Sequence, residues 1–298
     1  MENNIELAKP RDFGEIIGDT FVFIRQNFKE LMKNFFIFCS FFMIASAINM
    51  SMMQIRIQQF TRGLQTGEPA SPTTFESISD FFINWVFVMV FGLCMFATNM
   101  LVIVCYIALY KQKGNVAPTT QELWAYFKYY FFRMLLSVFL IVIMLTVAYM
   151  VCLIPGVWLF PIFGLIFPII VIENGSFGYA FSRAFKLISN NWWVTAGAVL
   201  IVWIIAYCMV MVLSIPASAM NMASVFLHPG KMPVLSNVQI IVTTVLQQLM
   251  QVFFIIPTIG ICLCYFNLTE TKEGTSLLER IDKFGQQPNT PNLPTEEY

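Results

Sequence analysis

The chain has 298 residues, of which 58% are hydrophobic and 11% charged, with 31 phenylalanines and a formal net charge of zero. A soluble domain carries about 25% charged residues, so this composition excludes an ordinary water-soluble globule and calls for lipid as solvent. Zero net charge gives no general pull toward nucleic acid, and no nucleic-acid partner is expected.

Residues 1–12 read as a polar N-terminus. Phe13, Ile17, Phe21, Ile24, Phe28 and Leu31 then recur at steps of three and four, opposite Glu15, Asp19, Gln26 and Glu30. That spacing predicts an amphipathic helix over about 13–32. Five charge-free stretches follow, 34–55, 81–110, 134–172, 187–230 and 232–269, each long enough to cross a bilayer, which takes about 20 apolar residues. Ala45-Ser46-Ala47 resembles a signal cleavage site, but the segment before it is long and contains acids, so the first span is read as an uncleaved anchor.

Ile154-Pro155-Gly156-Val157 divides the third stretch, because proline and glycine interrupt a run nearly twice the required length. Six spans result, at about 34–53, 81–110, 134–153, 157–172, 193–215 and 238–268. With the N-terminus inside, fourteen of the 17 Lys and Arg residues fall on the inner segments and three outside. This bias places both termini in the cytoplasm. The tail, 269–298, is polar and proline-rich from about 285, where disorder is expected.

The pattern before the first span returns before the fifth. Phe177, Phe181, Phe185, Ile188 and Trp192 repeat it, and Phe13-Gly14 aligns with Phe177-Gly178 without gaps. Ahead of the third span, Thr119 to Glu122 has the form of a capping box, followed by Leu123, Trp124, Phe127, Tyr130 and Phe131. The expected fold is all-α: a polytopic membrane protein with six transmembrane helices and cytoplasmic interfacial helices at about 13–32, 119–132 and 176–191. Three units of one such helix and two spans would account for the order.

Several runs resemble a known family: Ile154-Pro155-Gly156-Val157-Trp158, Glu173-Asn174-Gly175, Ala180-Phe181-Ser182-Arg183-Ala184-Phe185-Lys186-Leu187 with Asn191-Trp192-Trp193, and Lys272-Glu273-Gly274-Thr275-Ser276-Leu277-Leu278. Over roughly 10–285 the chain is similar to the membrane domain associated with some glycerophosphoryl diester phosphodiesterases, a domain with bacterial six-span relatives. The resemblance implies a protein of the bacterial cytoplasmic membrane. It brings no catalytic part, since the soluble phosphodiesterase domain has no counterpart here.

Little in the chain points to chemistry. The single histidine, His228, stands in Leu227-His228-Pro229-Gly230 without a His or Cys at ligand spacing, and the seven cysteines all lie in apolar stretches as packing residues. No metal, cofactor or enzymatic activity is expected. The charge-free spans also disfavour proton-coupled transport, which needs a titrating group in the membrane.

Two functional readings remain. The first is a non-catalytic membrane or envelope accessory module that contacts membrane lipids and a protein partner or a second copy of itself. The second is a transporter or channel for a neutral or lipid-like solute. It would use Thr244, Gln247, Gln248 and Gln251, which share one broad helical face, and a fourth span broken at Pro161, Gly164 and Pro168. The plainer reading of the same Gln face is glue between helices or the outer end of an overlong helix, and whether the fourth span is broken stays open. Glu173, at the end of span four, is expected to pair with Arg183 if the next helix folds back.

Overall fold

The structure, a computed structural model, describes residues 5–66, 78–227 and 236–274. Among these there is no strand. The helices are α1 (Phe13–Thr66), α2 (Ile78–Gln112), α3 (Thr120–Val151), α4 (Leu153–Ile172), α5 (Phe177–Ile188), α6 (Trp192–Leu227), α7 (Asn237–Met250) and α8 (Ile255–Glu273), with a 3₁₀ turn, Gln251–Phe254, between the last two. Six helical stretches are long and apolar enough to cross a membrane, with Asn237–Glu273 counted as one. The protein is an all-α, six-span membrane protein. Its flanks agree: Phe41, Ile44, Phe132, Met150, Ile154 and Met211 are exposed, an arrangement disfavoured in water and ordinary in lipid. His228 and the tail from about 285 lie outside the described residues.

Local chemistry explains where helices start. Thr119 Oγ1 accepts from the Glu122 amide while the Glu122 carboxylate accepts from the Thr119 amide, a complete capping box at the head of α3. Ser176 caps α5 by accepting from the Tyr179 amide. Ser236 and Gln239 form a second capping box on α7. Each satisfies amides that a helix start leaves without partners.

Two of the expected interfacial helices are not separate elements. The segment 13–32 runs into the first span as α1, 54 residues without a break, and 119–132 runs into the third as α3. Neither junction contains glycine or proline, so the helical ladder simply continues through it. Asn34 Nδ2 donates to the Glu30 carbonyl, 2.8 Å away, across the first junction. Only the helix before span five stands alone, since α5 ends at Ser189-Asn190 before α6 begins.

The first half of α1 passes over the ends of other helices. Phe13 lies against Gly197 of α6, the Arg11 amide donates to Asn267 Oδ1 of α8, and the Phe23 ring meets Tyr106 and Tyr110 of α2 edge-on. Tyr106 OH donates to Asn27 Oδ1, and Thr120 of α3 donates to Asn34 Oδ1. The basic segments therefore gather at one end of the bundle. Past Asn34, α1 runs beside α3, with Phe38 on Trp124 and Phe127, then Phe42 on Phe131.

The expected polar N-terminus belongs to the packed structure. Leu7 is buried and the Arg11 side chain is fully enclosed. The core centres on α2 and α8, whose residues Met100–Tyr110 and Ile255–Leu268 are buried nearly without interruption. Small residues bring neighbours close: a Cβ at Gly260 would stand 3.0 Å from Val202 of α6, and one at Gly164 would stand 3.3 Å from Ile261. α4 crosses α2, α8 and α6 in turn, through Phe167 on Phe96, Gly164 on Ile261 and Phe160 on Trp203.

Candidate functional sites

The first site is at the charged end. Asn174, in the left-handed region at φ 49°, and Gly175 reverse the chain after α4, and Arg133 Nη1 donates to Asn174 Oδ1 at 2.9 Å. α5 then runs back along α4, with Phe181 against Phe163 and Phe185 against Trp158. This brings Arg183 Nε to 3.3 Å from Glu173 Oε1. Glu173 also accepts from Tyr179 OH at 2.7 Å and from Tyr265 OH at 2.9 Å.

A third charge completes the group. Arg183 Nη2 lies 2.6 Å from Glu273 Oε1 at the end of α8. Lys272 of the same turn donates to the Lys186 carbonyl and to Ser189 Oγ. Partial burial opposes the Arg183 charge, but the Glu273 and Glu173 carboxylates outweigh it and hold its pKa above the ordinary value. Glu273 follows Arg183 by ninety residues in a short polar run, and no local spacing links the two.

Arg11 anchors the same end. Its guanidinium donates to the carbonyls of Leu7 and Lys9 and to Asp19 Oδ2 at 2.8 Å, while Lys9 Nζ stands 3.0 Å from the same oxygen. Partial burial pushes the Asp19 pKa up, and the hydrogen bonds from Arg11 and Lys9 more than reverse this, leaving it below the ordinary value. The only sequence signal is Arg11 with Asp19 about two turns on, a spacing that no pairing rule singles out. Chemically, this end holds two groups of paired charges, Lys9 and Arg11 on Asp19 and Arg183 between Glu173 and Glu273.

The second site lies among α1, α2, α6 and α7. There Ser46, Gly92, Trp203, Tyr207, Gln248 and Gln251 help line a cavity of about 390 Å³. The four residues expected on one polar face divide. Gln248 and Gln251 line the cavity, and Gln248 Nε2 donates to Ser46 Oγ at 3.2 Å. Thr244 is buried with its hydroxyl given to the Ile240 carbonyl, and Gln247 is exposed; neither lines the cavity. The cause is the packed stripe of α7: Ile240, Thr244 and Gln248 follow one another at steps of four into the bundle, which turns Gln247 to the flank.

The interruption is in span six. α4 is helical throughout Leu153–Ile172 despite Pro161 and Pro168, whereas the ladder of the last span changes to 3₁₀ at Gln251–Phe254. Pro257 explains the position. It has no N–H for the Phe253 carbonyl, and proline is tolerated in the first turn of a helix, so α8 restarts just before it. Asn99 Nδ2 of α2 donates to the Gln251 carbonyl at 3.1 Å. Among the described residues, Thr98 Oγ1, Asn99 Oδ1 and Trp203 Nε1 are buried side-chain atoms without a protein partner, each worth about 1–3 kcal/mol if left so.

Compared with known proteins, the chain matches no family model, no curated protein and no solved structure.

Proposed function

We propose that this chain is a non-catalytic integral membrane module, an accessory protein of the membrane or envelope whose charged end is a preformed surface for other components. The observation that carries this reading is the Glu173–Arg183–Glu273 group with Tyr179 and Tyr265. It ties α4, α5 and α8 together and occupies the carboxylates that acid–base chemistry would require free. In this reading the basic end faces the cytoplasm of a bacterial inner membrane, supported by the fourteen-to-three division of Lys and Arg and by the family resemblance.

The same end carries interfacial chemistry. Lys128 stands 5.7 Å over the Trp124 ring and Arg133 stands 5.5 Å over Tyr129. Such cation–aromatic pairs suit the headgroup layer, where one side of a residue is apolar and the other wet. We therefore place the first half of α1, the first turns of α3, and α5 at that layer. The test is direct extraction of the protein into lipid nanodiscs and native mass spectrometry. A defined oligomer or stoichiometric partner supports the module, and a bare monomer from every preparation contradicts it.

The interrupted last span favours a second reading, transport of a neutral solute, because the α-helical ladder changes to a 3₁₀ turn at Gln251–Phe254, where Gln251 lines the cavity. Glycerol flux in proteoliposomes decides between the two. The module reading predicts the rate of protein-free vesicles, and flux abolished by Gln248→Leu with Gln251→Leu would establish transport.

A further inference from the structure

The geometry points to a binding site for one uncharged, oxygen-bearing lipid, of the class of a diacylglycerol, in the cavity between α1, α2, α6 and α7. This goes beyond the module reading and does not depend on it. The cavity, at about 390 Å³, is within the range of ligand sites, roughly 300–1,000 Å³. It can hold a small head group and the start of its chains.

Its walls select the chemistry. None of the eleven lining residues is charged, so a phosphate brought here would be desolvated without a countercharge. Polar groups are present nonetheless. Gln248 is more than nine-tenths buried with its amide nitrogen committed to Ser46, Gln251 stands one turn further, and Tyr207 brings a hydroxyl. Trp203 adds an aromatic wall to the same space, with its indole N–H enclosed in the protein rather than open to the cavity. Hydroxyl and ester oxygens of an uncharged glyceride supply acceptors and a donor together. The remaining wall, Met50, Val88, Met95, Phe96 and Phe254, is apolar.

The entrance decides where the ligand comes from. Gly92 and Tyr207 are exposed at the mouth, and both stand well inside charge-free stretches, 81–110 and 187–230. The mouth therefore opens to the flank that lipid covers, and acyl chains can remain in the bilayer while the head group enters. Gly92 lines the cavity and a Cβ built there meets nothing within 4 Å, so a longer side chain at this position has open space to occupy.

The test uses the full-length protein in phosphatidylcholine vesicles with a diacylglycerol bearing a diazirine in one acyl chain, and separately with a phosphatidylglycerol bearing the same group. After irradiation, the cross-linked peptides are mapped by mass spectrometry. With the diazirine placed next to the ester, the diacylglycerol is expected to label Gln248 and Gln251 and the phosphatidylglycerol to leave these two unlabelled, while both label the exposed flank at Phe87 and Val90. Gly92→Met, whose side chain closes the mouth, should lower labelling about tenfold, equivalent to about 1.4 kcal/mol. The double variant Gln248→Leu, Gln251→Leu should lose labelling with the mouth still open, and size-exclusion profiles matching the parent show that each variant is folded. Equal labelling of positions 248 and 251 by the two probes, or labelling there unchanged in folded Gly92→Met, overturns the site. Labelling is read without partner binding, so its failure leaves the module reading to its own test.

Discussion

Arg183 is the residue on which the charged end turns. It separates Glu173 from Glu273, and removing it would leave two carboxylates facing each other. Exposed pairs contribute about 0.2–1 kcal/mol and breaking buried ones costs about 3–5 kcal/mol. With its side chain 21% exposed, Arg183→Leu should destabilise the protein by about 2 kcal/mol, between those limits, read as a lower midpoint of denaturant unfolding in nanodiscs. An unchanged midpoint would show that α5 is held by its aromatic face alone. Glu122 offers a pH test. Hydrogen bonds from the Thr119 amide, from Lys113 and from the Thr119 hydroxyl pull its pKa from 4.5 down to about 2. A depressed carboxylate stabilises fully above its unfolded value, and that contribution is lost as pH falls through the folded one. Amide protection at Leu123, whose N–H bonds the Thr119 carbonyl, should therefore weaken between pH 4.5 and about 2 and lose this dependence in Glu122→Gln. At this scale the Thr119–Glu122 capping box was legible, because its partners are three residues apart. Glu273 and Arg11 were not, since tertiary folding alone brings them to their partners.

Among the elements, the last span shows how a proline is read by its surroundings. Pro161 and Pro168 leave α4 helical inside a tightly packed layer, where Phe163, Ile166 and Ile170 are all buried, while Pro257 sets the start of α8 and the turn before it. Composition alone left open whether span four is broken and gave no sign that the interruption falls in span six. Pro257→Ala should let the α-helix run through 251–254 and slow amide exchange at Ile255 and Ile256; exchange as fast as in the parent would place the cause of the turn elsewhere. Close crossings give a second check. Gly260→Leu should cost about 1–3 kcal/mol by overpacking against Val202, and Val202→Ala should restore part of it, because the added side chain then has room. Additive losses in the double variant would contradict the crossing. That helices precede spans one, three and five was legible as well, but fusion of the first two with the following span was not, since an uninterrupted ladder needs no breaker.

At the scale of the whole molecule, charge-free length predicted six spans, and the helices follow it closely because backbone groups in lipid must be satisfied within a helix. Pairing of the ends was harder to foresee, since it depends on contacts among segments far apart in sequence. Those contacts collect residues 11, 120, 133, 183 and 272 at one end. Cysteines introduced near 67 and near 115 should label from opposite sides of the membrane with an impermeant maleimide, and same-side labelling would contradict the six-span path. The structure thus sets a face of paired charges against spans whose polar recess is uncharged. The most direct test of the module is native mass spectrometry of the protein taken from its own membrane into nanodiscs. A persistent complex of fixed stoichiometry, with a second copy or another chain, is the predicted result, and a monomer alone in every preparation would contradict it.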